Sequence, residues 1–168
     1  MGYIPYNIVE IIMKQAIKLV LKEGTSFDLY YLDGVVMRFD ILSIVNEYPE
    51  YNALKDRDLF LQGHLIGWGG VSWNDELDLS VDYPFYHGKD VTKEYDDVDN
   101  VVLGYKLKEK RLELELSQKE LASKVLIDQS DLSKIETGAA NPSLNTISRI
   151  AEGLGCKLSI DFLFKNKQ

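Results

Sequence analysis

Cysteine is nearly missing from this chain of 168 residues: Cys156 is the single one, so no disulfide can close within one copy. A reducing, cytoplasmic setting is the expectation. Histidine is almost as scarce, with His64 and His87 alone, and neither has a second ligand at metal spacing. No metal centre and no cofactor is therefore expected. No apolar run reaches membrane-spanning length without charge, since the longest, residues 8–21, contains Glu10, Lys14 and Lys18. The amino terminus lacks the basic segment, apolar core and small-residue cleavage site of a secretory signal. Gly67-Trp68-Gly69-Gly70 is not followed by the Lys-Ser/Thr pair of a phosphate loop. The carboxylates Asp75, Glu76, Asp78 and Asp82 read as a solvated acidic loop rather than a cation site. No nucleophile pairs with a base in any recognisable motif, so an enzyme is not expected.

What is present is unevenly distributed. The net charge is −8, which by itself speaks against a nucleic-acid partner. Residues 1–99 carry net −10, however, and residues 100–168 carry net +2. Binding to a polyanion depends on the potential of one face and not on the total. The split suggests two domains with different partners: an α+β domain over 1–92, an acidic linker over 93–100, and a second domain over 101–168.

The first domain reads as strands and tight turns. The segment 27–32 is aromatic and ends at Asp33-Gly34, which suits a two-residue hairpin turn into a second strand over 35–41. A short helix is expected over 41–47, ending before Pro49. A strand over 65–73, bent at Gly67, Gly69 and Gly70, and another over 77–81 follow. Residues 8–22 fit a helix that gives way to a strand near Ile17. Tyr48, Tyr51, Phe60, Trp68, Trp73, Tyr83, Phe85 and Tyr86 offer either a core or a protein-binding surface; for Trp73 and Phe85 the core is favoured.

Downstream the periodicity becomes helical. One helix is expected over 101–114. Ser117-Gln118-Lys119-Glu120 is a capping box opening a second. Asp128 is placed to cap a third, stopped by Gly138, and Ser143 a fourth, stopped by Gly155. Lys157-Leu158-Ser159-Ile160-Asp161-Phe162 alternates polar and apolar, a strand pattern with Cys156 in line behind its apolar face. Leu121, Ala122, Val125, Ile127, Leu132 and Ile135 would face inward. Gln129, Ser130, Ser133 and Lys134 would face outward, and such side chains hydrogen-bond base edges in a major groove.

The words LSQKELASKV, QSDLSKIETG and NPSLNTISRIAEGLG resemble the Xre family, the helix-turn-helix domains of the Cro and phage-repressor type, across roughly Leu103–Leu154. The resemblance implies that Gln118 contacts a phosphate, that Gln129, Ser130 and Ser133 read bases, and that Lys134 reaches a base or phosphate. It also implies a buried ion bridge between Arg111 and Glu136. Family members usually carry glycine at the place of Leu126 and often at the place of Glu115. A left-handed backbone at Leu126 would cost roughly 1–2 kcal/mol, so a different turn geometry is expected there. Over residues 17–82 the strings FDLYYLDGVVMRFDI and GGVSWNDELDLS resemble a small bacterial α+β family without assigned activity, sometimes encoded beside toxin-like partners.

The expected protein is thus α+β, with a small α+β domain, an all-α helix-turn-helix domain and a terminal strand. The expected function is a cytoplasmic transcriptional repressor binding double-stranded palindromic DNA as a homodimer, self-paired through Leu158, Ile160 and Phe162. The alternative is an antitoxin that autoregulates through the helix-turn-helix and binds a toxin through the first domain.

Overall fold

The computed structural model describes residues 14–67 and 70–160. The chain divides into two compact units, residues 1–102 and 103–168. Among the described residues no helix is long and apolar enough to cross a membrane.

In the first unit, β1 (Ala16–Leu21), β2 (Ser26–Tyr31) and β3 (Val36–Asp40) form an antiparallel meander. The chain continues through two short 3-10 turns to α1 (Arg57–Phe60), then β4 (His64–Ile66), β5 (Gly70–Ser72), β6 (Asp78–Leu79), α2 (Asp82–His87) and β7 (Lys89–Asp90). The sheets run in the orders β1-β2-β3-β7 and β4-β5-β6. Alternation along β2 sends Phe27, Leu29 and Tyr31 into a core shared with Phe39, Phe60 and Trp73. The other face is covered too. Tyr30 and Val36 pack against Val91, Val98 and Val101, with Tyr95 beside them.

Several sequence expectations change here. The β2–β3 hairpin closes through three residues, Leu32, Asp33 and Gly34, because Tyr31 pairs with Val35 (Tyr31 N donates to Val35 O, 2.8 Å). Gly34 takes the left-handed position that ends such a loop, at φ +85°. The run 65–73 is not one strand but the β4–β5 hairpin, since the chain reverses after Gly67 (φ +47°). The helix expected over 41–47 is a 3-10 turn over Ile41–Ile44, capped by Asp40. The strand over 77–81 shrinks to Asp78–Leu79, because Val81 already caps α2. Residues 16–21 are the strand β1, and the helix expected before it falls largely on residues 1–13, outside the described residues.

The acidic stretch 93–100 also departs from a solvated linker. The Tyr30 hydroxyl donates to Asp97 at 3.0 Å, and Lys18 pairs with Asp97 at 3.1 Å. The Tyr95 hydroxyl donates to Asp28, whose side chain is fully buried and clasped by Arg38 at 2.8 and 2.9 Å. Burial alone would raise the Asp28 pKa. The hydrogen bonds from Arg38 and Tyr95 outweigh it and hold the carboxyl below its usual range. The stretch thus belongs to the first unit, because its aromatic and carboxylate groups find partners on the sheet.

The second unit holds the helices α3 (Val98–Glu113, which begins in the first unit), α4 (Gln118–Lys124), α5 (Gln129–Glu136) and α6 (Leu144–Gly153). Leu107, Leu121, Ala122, Val125, Leu132, Ile135, Ile150 and Leu154 form its core. Gly104 lets α3 lie directly on the end of α5: a Cβ there would stand 2.2 Å from the Ile135 carbonyl oxygen. Residues 156–160 form no strand, for the alternating pattern meets no strand to ladder with among the described residues. Cys156 is exposed there rather than packed.

Candidate nucleic-acid interface

Local chemistry fixes α4 and α5. Ser117 Oγ accepts from Glu120 N at 3.2 Å, and Ser117 N donates to Glu120 Oε2 at 2.7 Å, so two of the orphan donors at the start of α4 are satisfied reciprocally. Asp128 occupies the N-cap place of α5, but its side chain accepts no capping hydrogen bond. Ser143 does cap α6, accepting from Thr146 N at 3.2 Å.

The turn between α4 and α5 overturns one expectation. Leu126 keeps the left-handed conformation, at φ +55°, where a different geometry was anticipated; Glu115, between α3 and α4, does the same at φ +56°. Leu126 is 84% exposed, so the backbone strain is not offset by burial of its side chain. The left-handed turn instead lets Ile127 N reach the Ala122 carbonyl at 3.0 Å, closing the C-terminus of α4.

With Leu132, Ile135 and Glu136 buried, α5 exposes Gln129, Ser130 and Lys134, while Ser133 is half-buried beside them. Arg111 and Glu136 meet in the centre of the unit. Nε donates to Oε1 at 2.7 Å and Nη2 to Oε2 at 2.9 Å, with the side chains 7% and 1% exposed. The hydrogen bonds to Glu136 hold the guanidinium even more firmly protonated than usual. Glu136 Oε2 also accepts from Gln118 Nε2 at 2.9 Å, and Gln118 Oε1 accepts from Gln129 Nε2 at 2.8 Å. An ionised carboxylate only accepts, so it sets which end of the Gln118 amide points inward. Gln118 in turn engages the exposed Gln129 amide through one N–H, leaving its carbonyl oxygen and second N–H available. The four residues form one chain of hydrogen bonds from a buried charge to the exposed surface of α5.

Electrostatics on this face are mixed. Lys134 lies 3.6 Å from Asp131, one helical turn earlier, which offsets part of its charge. Of the residues expected at a dimer interface, Leu158 is half-buried, Ile160 is 56% exposed, and Phe162 lies outside the described residues. Sequence reasoning missed two residues that shape the site, Gly104 and Arg149. Arg149 was legible in outline, as a charged residue set between Ile147 and Ile150 on an otherwise half-apolar helix.

Among the described residues, no group of three or more His, Cys, Asp or Glu side chains is placed to hold a metal ion. No curated protein matches the chain. A crystal structure described as that of a "putative DNA binding protein" from Nitrosomonas europaea resembles it at a TM-score of 0.40 and 16% identity, over 82% of this chain and 84% of that one. The Helix-turn-helix family model matches residues 107–160. Two short helices sharing one buried core, a capping box on the first and a polar exposed face on the second agree with that match. Residues 107–160 are therefore a DNA-binding helix-turn-helix domain of the Xre/Cro type.

Proposed function

We propose that the protein is a sequence-specific transcriptional repressor that binds a palindromic operator as a homodimer, with α5 in the major groove. The carrying observation is the hydrogen-bond chain Arg111–Glu136–Gln118–Gln129, which fixes the amide of an exposed glutamine before any DNA arrives. A preset carbonyl and N–H pair suits a base edge with one donor and one acceptor, as adenine offers in the major groove. Ser130 and Ser133 flank it as further base contacts, Lys134 reaches a base or phosphate, and Gln118 contacts the backbone. One such helix reads only a few base pairs, so two copies are required, joined through Leu158, Ile160 and Phe162.

The test begins with a duplex selected from a random pool by the full-length chain. Gln129→Ala should weaken that duplex by about 1–3 kcal/mol and relax one base position. Binding to unrelated DNA, which depends on phosphates, should hardly change. Equal losses on both would defeat the assignment.

A second reading, an autoregulating antitoxin, is favoured by the charge split and by the exposed tyrosines Tyr48 and Tyr86 on the acidic first unit, 37% and 70% exposed. A stable stoichiometric complex with the product of a neighbouring gene would select it. Absence of any such complex leaves the repressor.

A further inference from the structure

Two arginines stand at the two left-handed turns that bracket α4. At the first, Arg111 Nη1 donates to the Leu116 carbonyl at 2.6 Å, next to Glu115. At the second, Arg149 reaches from α6 and its Nη2 donates to the carbonyls of both Val125 and Leu126, the latter at 2.8 Å. Those carbonyls stand at and just beyond the C-cap residue of α4, Val125, where a cation is favoured. A non-glycine residue resists φ near +55° because its Cβ crowds the carbonyl. Arg149 rewards that conformation, since its two acceptors are consecutive carbonyls at the residue in question.

We infer that Arg149 is a positioning residue for DNA reading: its guanidinium holds Leu126 in the left-handed turn that sets the tilt of α5, a task glycine performs without help. Arg149 itself need touch no DNA. The inference rests on α5 being the reader, yet it makes a separate claim about the turn. The neighbouring geometry sharpens it. Gly153, on the same helix as Arg149, admits Val125 so closely that a Cβ there would stand 2.1 Å from Val125 Cγ1. The α6–turn contact is therefore tight on its apolar side and hydrogen-bonded on its polar side.

The experiment is a double-mutant cycle in the full-length chain, using Arg149→Met and Leu126→Gly, read on the duplex selected by the wild type. Arg149→Met should weaken specific binding by about tenfold, the scale of one lost base contact, with helical circular dichroism unchanged at low temperature. Adding Leu126→Gly should restore affinity to within about threefold, because glycine adopts the turn unaided. NMR reads the turn without DNA: the strong intraresidue amide–Hα NOE of Leu126 should weaken in Arg149→Met. Unchanged affinity in Arg149→Met, or a double variant no better than the single one, would overturn the inference. If no duplex is selected at all, the DNA-reading assignment fails, while the NOE still decides the role of Arg149 in the turn. Should Arg149→Met unfold, Arg149→Lys replaces it, expected to give an intermediate loss that Leu126→Gly again repairs.

Discussion

Replacing Arg111 by methionine isolates the energetics of the buried ion pair. The substitution keeps roughly the length and apolar stem of the side chain but removes both charge-assisted hydrogen bonds to Glu136 and the clasp on the Leu116 carbonyl. Glu136 then keeps only the donation from Gln118, with a side chain 1% exposed. Breaking such a pair costs about 3–5 kcal/mol. A unit of this size seldom has more than about 3–5 kcal/mol to lose, so Arg111→Met should leave residues 103–168 largely unfolded at 25 °C and neutral pH. Urea unfolding offers a site-specific readout, because both tryptophans, Trp68 and Trp73, lie in the first unit, whereas α4, α5 and α6 lie in the second. Much of the helical far-UV signal should be lost before urea is added, while the fluorescence transition moves little. The double variant Arg111→Met/Glu136→Met should recover most of the loss, since a buried pair replaced by packed apolar groups is close to neutral. A loss below about 1 kcal/mol, the value of an exposed pair, or a double variant no more stable than Arg111→Met, would refute the reasoning.

Three further outcomes follow from the geometry. Gly104→Ala should destabilise the second unit by about 2 kcal/mol or more, because the added methyl meets a backbone oxygen and not a movable side chain; chemical unfolding measures it. Asp28→Asn should cost stability in the first unit, and the deficit should be full above about pH 4 and fade below it. The depressed folded pKa of Asp28 means its contribution is lost as pH falls, and fluorescence-detected unfolding across pH tests this. Removing residues 157–168 should give a chain that sediments as a monomer and binds the selected duplex weakly, with helical content retained; a truncated dimer would contradict the proposed self-pairing.

The second unit was the more legible in the sequence, and the reason is local. Ser117 with Glu120, and Ser143, mark helix starts whatever surrounds them, and apolar spacing marks the inner face. The hydrogen-bonded row from Arg111 to Gln129 follows once those helices cross. What stayed hidden depends on tertiary context. Tyr95 and Asp97 look like linker residues until the sheet offers them Asp28 and Tyr30. The run 65–73 reads as one strand because the reversal after Gly67 is hidden within continuous apolar character. Leu126 argues against a left-handed turn when taken alone, and the hydrogen bonds that accompany the turn, from Ile127 and from the sequence-distant Arg149, are visible only in the fold. Where local preference and final conformation disagree, a partner from another helix or strand supplies the difference.

The cover over the second face of the four-stranded sheet bears on how such a chain can be recombined. Composition invites a cut in the acidic stretch near residue 93, yet Val98 and Val101 are part of the layer over Tyr30 and Val36. A fragment ended at residue 92 would carry that layer's inner half bare to water. A helix-turn-helix transplanted from residue 93 would drag an apolar turn with nothing to rest on. The seam that respects both pieces falls between Val102 and Leu103, inside α3. Exchange of the reader between such proteins must then splice helix to helix, so its natural currency is a shared α3 and not a swappable linker.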